Sequence, residues 1–302
     1  MFDRRQFNKT LALGLAGAVL PATANTLGAL QNPKRLRAGH TGITWGFSPA
    51  DAERAIADVA SLGFNGYESF GNVLEAWESK SGLDALLNAA KLPLRSAYCP
   101  VNLTEPARLK DETAKIVRWG QLIKKCGGAV SVIGPNNVKR PDYNFAEHKS
   151  NIVAALNEIA KALDGIGIVG VLHQHTGTCV ETRDETYAVM EAVDTRYVKF
   201  GPDVGQLQKG GSDPVKVVKD FLPVIRHVHL KDWNGGPHYE GYCALGQGKV
   251  DLAAVCDLLD KSGNDLMIMA ELDPSKDMPL APLEAARINK ETLVKLGYAF
   301  TT

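Results

Sequence analysis

The chain has 302 residues, 45% hydrophobic and 23% charged, with 34 basic side chains balanced by 34 acidic ones. Such a composition supports one large globular core or two small ones. Zero formal net charge, with no long run of either sign, gives no broad attraction to nucleic acid or an anionic membrane, so the expected partner is a small neutral or weakly charged molecule.

Residues 1–24 combine a basic start, the mild apolar run Leu11 to Leu20 and the small residues Ala22-Thr23-Ala24, which reads as an export signal rather than a folded element. Arg4-Arg5-Gln6-Phe7-Asn8-Lys9 resembles the twin-arginine consensus, with Asp3 and Asn8 departing from its usual residues. The run is too short to span a bilayer, so delivery to the periplasm without stable membrane insertion after cleavage is expected. A linker over residues 25–35 and a single catalytic domain over residues 36–302 follow.

From residue 34 onward, short β-rich runs alternate with longer amphipathic stretches, the pattern of a parallel sheet with helical crossovers. Strands are expected near 37–44, 64–69, 94–99, 129–133, 169–174, 197–202, 226–231 and 266–272. Helices are expected near 49–62, 74–90, 106–125, 145–165, 183–193, 214–221, 252–262 and 282–296. Eight repeats of this length predict a closed (β/α)₈ TIM barrel. An open doubly wound sheet fits less well, because Gly42 to Gly46 is no phosphate-binding fingerprint. The five cysteines, Cys99, Cys126, Cys179, Cys243 and Cys256, include no CxxC pair, so buried thiols are expected in place of a disulfide framework or thiolate zinc site.

Side-chain parity locates the chemistry. Alternate residues of a strand face opposite ways, so Arg226-His227-Val228-His229-Leu230-Lys231 sends His227, His229 and Lys231 to one face. Helices cover the outside of a barrel, so the apolar Val228 and Leu230 face outward and the polar set inward. The same parity aligns His173 with His175, and Glu271 with Met269 and Met267, while Asp203 closes the sixth strand. His173, Asp203, His229 and Glu271 then converge from consecutive strand ends, and two imidazoles with two carboxylates suit one divalent metal with open positions. Glu68, ending the second strand, binds substrate, acts as an acid or base, or caps the next helix.

At these residues the chain resembles the sugar phosphate isomerase/epimerase superfamily of xylose isomerase-like barrels. The resemblance rests on His227-Val228-His229-Leu230-Lys231-Asp232, Leu245-Gly246-Gln247-Gly248-Lys249-Val250-Asp251 and Ala270-Glu271. It implies metal binding by His229 and Glu271. Asp203-Val204-Gly205-Gln206 resembles the superfamily's Asp-Thr-Gly-His segment, which makes Asp203 a ligand and puts Gln206 where a substrate-gripping histidine usually stands. Leu172-His173-Gln174-His175-Thr176-Gly177-Thr178 resembles the matching segment of inosose dehydratases, with His173 replacing the usual glutamate ligand.

Epimerases of this superfamily place carboxylates on both faces of the substrate. Here one is replaced by imidazole, leaving Glu271 as the base beside a metal-polarised carbonyl and favouring a dehydratase or hydratase outcome. His175 or Lys231 would serve as general acid. An isomerase or epimerase is the alternative, with Glu68 or His175 restoring the second group. The implied substrate is a keto-sugar, keto-glycoside or inosose, and the cofactor one divalent ion among Mn, Mg, Co, Zn and Fe. A non-catalytic periplasmic sugar-binding barrel and a nuclease are weaker readings, the second opposed by neutral charge and the lack of a basic stripe. Between residues 232 and 250, five glycines accompany Trp233 and Tyr239, which suggests a lid whose aromatics cover the substrate.

Overall fold

The computed structural model describes residues 33–275, 277 and 279–301. The expected export signal and residues 25–32 of the linker lie outside the described residues. Eight parallel strands form one sheet: β1 (Arg37–Thr41), β2 (Tyr67–Phe70), β3 (Leu94–Val101), β4 (Val130–Pro135), β5 (Val169–Leu172), β6 (Lys199–Phe200), β7 (Val228–Leu230) and β10 (Met267–Ala270). Their spatial order is β6-β5-β4-β3-β2-β1-β10-β7. The ends of that order meet through the parallel bridges Phe200 to Ile225 and Asp203 to His229, which curl the sheet into the (β/α)₈ barrel. A two-stranded antiparallel ribbon, β8 (Asp232–Trp233) and β9 (Tyr242–Cys243), follows β7.

The helices are α1 (Ala52–Ser61), α2 (Gly71–Glu78), α3 (Leu83–Ala89), α4 (Leu109–Lys125), α5 (Phe145–Asp164), α6 (Arg183–Met190), α7 (Val204–Lys209), α8 (Pro214–Phe221), α9 (Leu252–Lys261) and α10 (Pro282–Lys295). The helix expected over 74–90 is therefore two. Gly82, between them, has φ +77°, a conformation other residues adopt with strain, and an α-helix cannot continue through it. Val228, Leu230, Ile268 and Ala270 belong to the large apolar core. Val130, Val132 and Val171 form a separate cluster with Tyr98 against it, on the opposite strand face, inside the barrel. No helix among the described residues is long and apolar enough to cross a membrane. All five cysteines are free thiols, with Cys126 half-buried and the others buried.

His40 links β1 to α10. Its Nδ1–H donates to the Thr41 carbonyl at 2.8 Å, and its Nε2 accepts from the Asn289 amide at 3.2 Å. Trp45 and Phe64 pack against the ring at centroid distances of 5.5 and 5.0 Å. Burial pushes its pKa from 6.5 down to about 4, against the pull of the Thr41 carbonyl. A depressed histidine pKa means that the unfolded chain binds the proton first. His40 thus contributes stability that is fully present above pH 6.5 and is lost as pH falls from 6.5 towards 4, by about 3 kcal/mol at most. Denaturant unfolding of wild type and His40→Gln between pH 7 and 4 should show a smaller pH-dependent loss in the variant. Parallel pH profiles would contradict this assignment.

Candidate active site

The strands deliver the polar residues to one mouth of the barrel. Asp203 and His229 are held in register by the β6–β7 bridge, and the Glu271 N–H donates to the Leu230 carbonyl at 3.1 Å. A cavity of about 150 Å³ opens there. Ile43, Phe70 and Tyr98 form its apolar side, and Glu68, His173, His175, His229, Glu271 and Asp273 its polar side. An apolar wall facing a few polar groups is the usual composition of a small-ligand site.

His173, Asp203, His229 and Glu271 do converge. One ligating atom from each of His173, Asp203 and His229 lies within 4.8 Å of the others, and Glu271 Oε2 stands 3.0 Å from His229 Nδ1. His173 Nδ1 faces the Gly201 carbonyl at 3.1 Å, which assigns the proton to Nδ1 and leaves the Nε2 lone pair 4.0 Å from Asp203 Oδ2. Asp203 has two tasks. Its Oδ1 caps α7 by accepting from the Gly205 and Gln206 N–H groups at 2.9 and 3.0 Å, while Oδ2 has no aligned hydrogen bond.

Lys231 is fully buried among three carboxylates, with Nζ at 2.6 Å from Glu271, 2.9 Å from Asp273 and 3.0 Å from Asp203. Burial works against its charge, but these carboxylates outweigh that effect and hold its pKa well above the ordinary lysine value. For Glu271, burial acts upward, and the His229 and Lys231 charges prevail, holding the carboxyl well below the usual range. His173 is driven well below an ordinary histidine by burial, with neighbouring His229 and His175 adding to the effect. A neutral imidazole, two carboxylates and a second imidazole are a suitable donor set for a divalent cation.

A second cluster, Glu68 with His227 and His229, is also dense enough to be considered for an ion. Its contacts are 2.7 Å from Glu68 Oε1 to His229 Nε2, 2.9 Å from Oε2 to His227 Nε2, and 2.6 Å from Oε2 to the donating Ser96 hydroxyl. Ligands around a tetrahedral ion at about 2.1 Å stand about 3.4 Å apart. Those contacts, like the 3.0 Å from His229 Nδ1 to Glu271 Oε2, are closer than co-ligands stand, so an ion bound by either pair requires the side chains to part, whereas the 4.0 Å gap between His173 and Asp203 already leaves room for one. Glu68 therefore caps no helix; α2 has no side-chain cap.

Three expected residues occupy places that sequence parity does not reveal. Gln206 turns away from the cavity: its Oε1 accepts from the Thr176 N–H at 3.2 Å, the Thr176 hydroxyl at 2.7 Å and the Tyr242 hydroxyl. Its amide then faces His175 Nε2 at 2.7 Å, and His175 Nδ1 faces the Thr176 carbonyl at 2.8 Å. Gln206 orients His175 instead of touching the cavity, and neither nitrogen of His175 is free to pass a proton to a ligand. Trp233 packs within its own loop, with Gly235 and Gly241 against its ring and its Nε1–H directed at the Glu240 carbonyl at 3.4 Å. Tyr239 lines an adjoining hollow that shares His175 and Asp273 with the main cavity. Tyr239 and Glu240 both have positive φ, 50° and 54°, a locally strained turn beside the site.

The loop expected to hinge at its glycines is pinned along its C-terminal half. Buried Asp232 accepts backbone N–H bonds from Trp233 at 2.9 Å, Gly246 at 3.0 Å, Gly248 at 2.9 Å and Val250 at 3.1 Å. A Cβ on Gly248 would lie 2.0 Å from Asp232 Oδ1, so Gly248 permits close approach and is no hinge. Gly248→Ala should lower stability by about 2–4 kcal/mol, read as a shifted denaturant midpoint at unchanged slope. An unchanged midpoint would show that the knot tolerates displacement.

Asp273 is the functional candidate that sequence reading misses. It lines both hollows and pairs with Lys231, and the two-residue parity through Met267, Met269 and Glu271 reaches it when carried one step past the strand end.

Known proteins share this architecture. An inosose dehydratase of Clostridium botulinum (strain Alaska E43 / Type E3) is 28% identical over 257 residues, spanning 76% of this chain and 85% of that relative. The D-allulose 3-epimerase from Methylomonas sp., solved with D-allulose, superposes with a TM-score of 0.70 at 19% identity, covering 88% of this chain and 99% of the other. The IOLI protein, solved with a bound zinc atom, gives a TM-score of 0.70 at 18% identity, covering 88% and 100% respectively. Residues 56–294 match the family described as Xylose isomerase-like TIM barrel, and the chain belongs to that family.

Proposed function

We propose that this chain is a metal-dependent enzyme that removes the proton beside the carbonyl of an inosose, keto-sugar or keto-glycoside, with loss of water as the favoured outcome. The observation that carries this reading is Glu271: a cavity carboxylate kept ionised between His229 and Lys231, with the imidazole of His173 where a second carboxylate would serve an epimerase. The inosose dehydratase relative supports the same direction. A divalent ion held by His173, Asp203, His229 and Glu271 would polarise the substrate carbonyl and acidify the neighbouring C–H.

The protein's own groups then divide the work. Ile43, Phe70 and Tyr98 exclude water from the ring's C–H face, and Glu271 accepts the proton from carbon. Both nitrogens of His175 are occupied, and Lys231 already contacts three carboxylates. Neither provides a ready acid, so Glu271 itself returns the proton to the departing β-hydroxyl on the same face. The C–O bond breaks, the C–H electron pair becomes the new C=C bond, and water leaves. In the alternative reading, Asp273 returns a proton to carbon and the enzyme is an isomerase or epimerase; the position of Asp273 in the cavity specifically favours keeping this branch.

Product analysis with inososes and keto-glycosides separates the readings. A product one water lighter supports the dehydratase, interconverted keto-sugars without water loss support the epimerase, and saturable binding without turnover would reduce the barrel to a sugar receptor. The proposal also includes twin-arginine export to the periplasm, which the Arg4-Arg5 segment motivates. Fractionation of expressing cells tests it, and protein confined to the cytosol under native expression would contradict it.

A further inference from the structure

Glu68 lines the cavity, yet both of its carboxylate oxygens lie against residues of the barrel wall. Its carboxylate is nearly fully buried: Oε1 lies 2.7 Å from His229 Nε2, while Oε2 lies 2.9 Å from His227 Nε2 and accepts from the Ser96 hydroxyl at 2.6 Å, the two imidazole contacts being close without alignment as hydrogen bonds. Across the His229 ring, Nδ1 lies 3.0 Å from Glu271 Oε2. The same ring is tightly confined, with His173 at a centroid distance of 4.5 Å and His227 at 5.0 Å.

We propose that Glu68 is a positioning residue: anchored by Ser96, it braces the Nε2 edge of the His229 ring, so that Nδ1 is the nitrogen left to the metal-binding cluster. The inference rests on the proposed metal dependence and extends it to a residue outside the ligand set. A carboxylate behind a ligating imidazole fixes the ring's rotation and tautomer and makes the opposite nitrogen a better donor. His173 is arranged the opposite way around, with the Gly201 carbonyl behind Nδ1 and Nε2 facing Asp203. The two imidazoles therefore present different nitrogens, one secured by a backbone carbonyl and the other by a buried side chain.

The test is chelator competition with Mn²⁺ and Zn²⁺ on purified wild type, Glu68→Gln and Ser96→Ala, together with ¹⁵N NMR of the histidine rings and turnover at saturating metal. Wild type should bind one ion per chain with His229 in the Nε2–H form. Glu68→Gln should lose about 10- to 100-fold in metal affinity and lose the single His229 tautomer, yet recover turnover to within a few-fold once metal saturates. Ser96→Ala should weaken affinity by about threefold and decides the matter if Glu68→Gln does not fold. Unchanged affinity in the folded Glu68 variant, or in Ser96→Ala where only that variant folds, would overturn the inference while leaving metal dependence standing. Turnover that stays low at saturating metal would return Glu68 to an acid–base role. Two ions per chain, with the second abolished in Glu68→Gln, would overturn the inference by making Glu68, His227 and His229 a second metal site. No binding by wild type would remove the metal-dependent reading itself.

Discussion

Lys231→Met is expected to destabilise the metal-free protein by about 3–5 kcal/mol, seen as a fall in Tm of about 10 °C. The reason is charge rather than volume, since methionine retains most of the apolar stem. Lys231 is the cation shared by Asp203, Glu271 and Asp273, all at 3.0 Å or less. Removing it leaves three carboxylates facing one another in a buried site, and protonating or hydrating them is costly. A divalent ion binding at Asp203 and Glu271 would restore part of the missing positive charge. Added Mn²⁺ or Zn²⁺ should therefore raise Tm more in the variant than in wild type, because a ligand at free concentration L that binds only the folded state stabilises it by RT ln(1 + L/Kd) and the unneutralised carboxylates lower Kd. Calorimetry of both proteins with and without metal checks both parts. Equal Tm values without metal would mean that Lys231 contributes no net neutralisation.

Glu271→Gln should lower turnover by about 10²–10⁴-fold when assayed at saturating metal, the range expected for loss of a positioned general base. Glutamine keeps the size of the side chain and one coordinating oxygen, but cannot accept a proton at neutral pH. Saturating metal separates the loss of a base from weakened coordination. Substrate binding should be largely retained, because Ile43, Phe70 and Tyr98 are untouched. A variant with normal turnover would transfer the proton-abstracting role to Asp273, and Asp273→Asn would then be the inactive protein.

Much of the barrel and most of the site are legible in the sequence because both follow from a two-residue period. The alternation in His227-Val228-His229-Leu230-Lys231 predicts which residues enter the barrel, and Val228 and Leu230 do lie in the outer core. What escapes is determined by contacts between segments distant in the chain. Gln206 and His175 both sit where substrate contacts are expected, yet the hydrogen bonds with Thr176 and Tyr242 turn them towards each other. Helix α7 is only six residues long and has no apolar period to detect. The glycines at 246 and 248 read as freedom in one dimension, whereas in the fold they let backbone N–H groups reach Asp232. Asp273 lies beyond the end of β10, where strand parity has no formal standing, and only the barrel mouth brings it to Lys231.

The central claim is metal-assisted proton removal beside a carbonyl, and solvent-isotope incorporation tests it most directly. Purified protein, stripped of metal and then reloaded with one divalent ion, is incubated with an inosose or keto-glycoside in D₂O, and the substrate and product are read by NMR and mass spectrometry. The account predicts metal-dependent deuterium at the carbon beside the carbonyl, or metal-dependent loss of that C–H with release of water, abolished by chelation and by Glu271→Gln. Turnover of these substrates at full rate in the metal-stripped protein, or turnover that leaves that C–H bond intact, would contradict it.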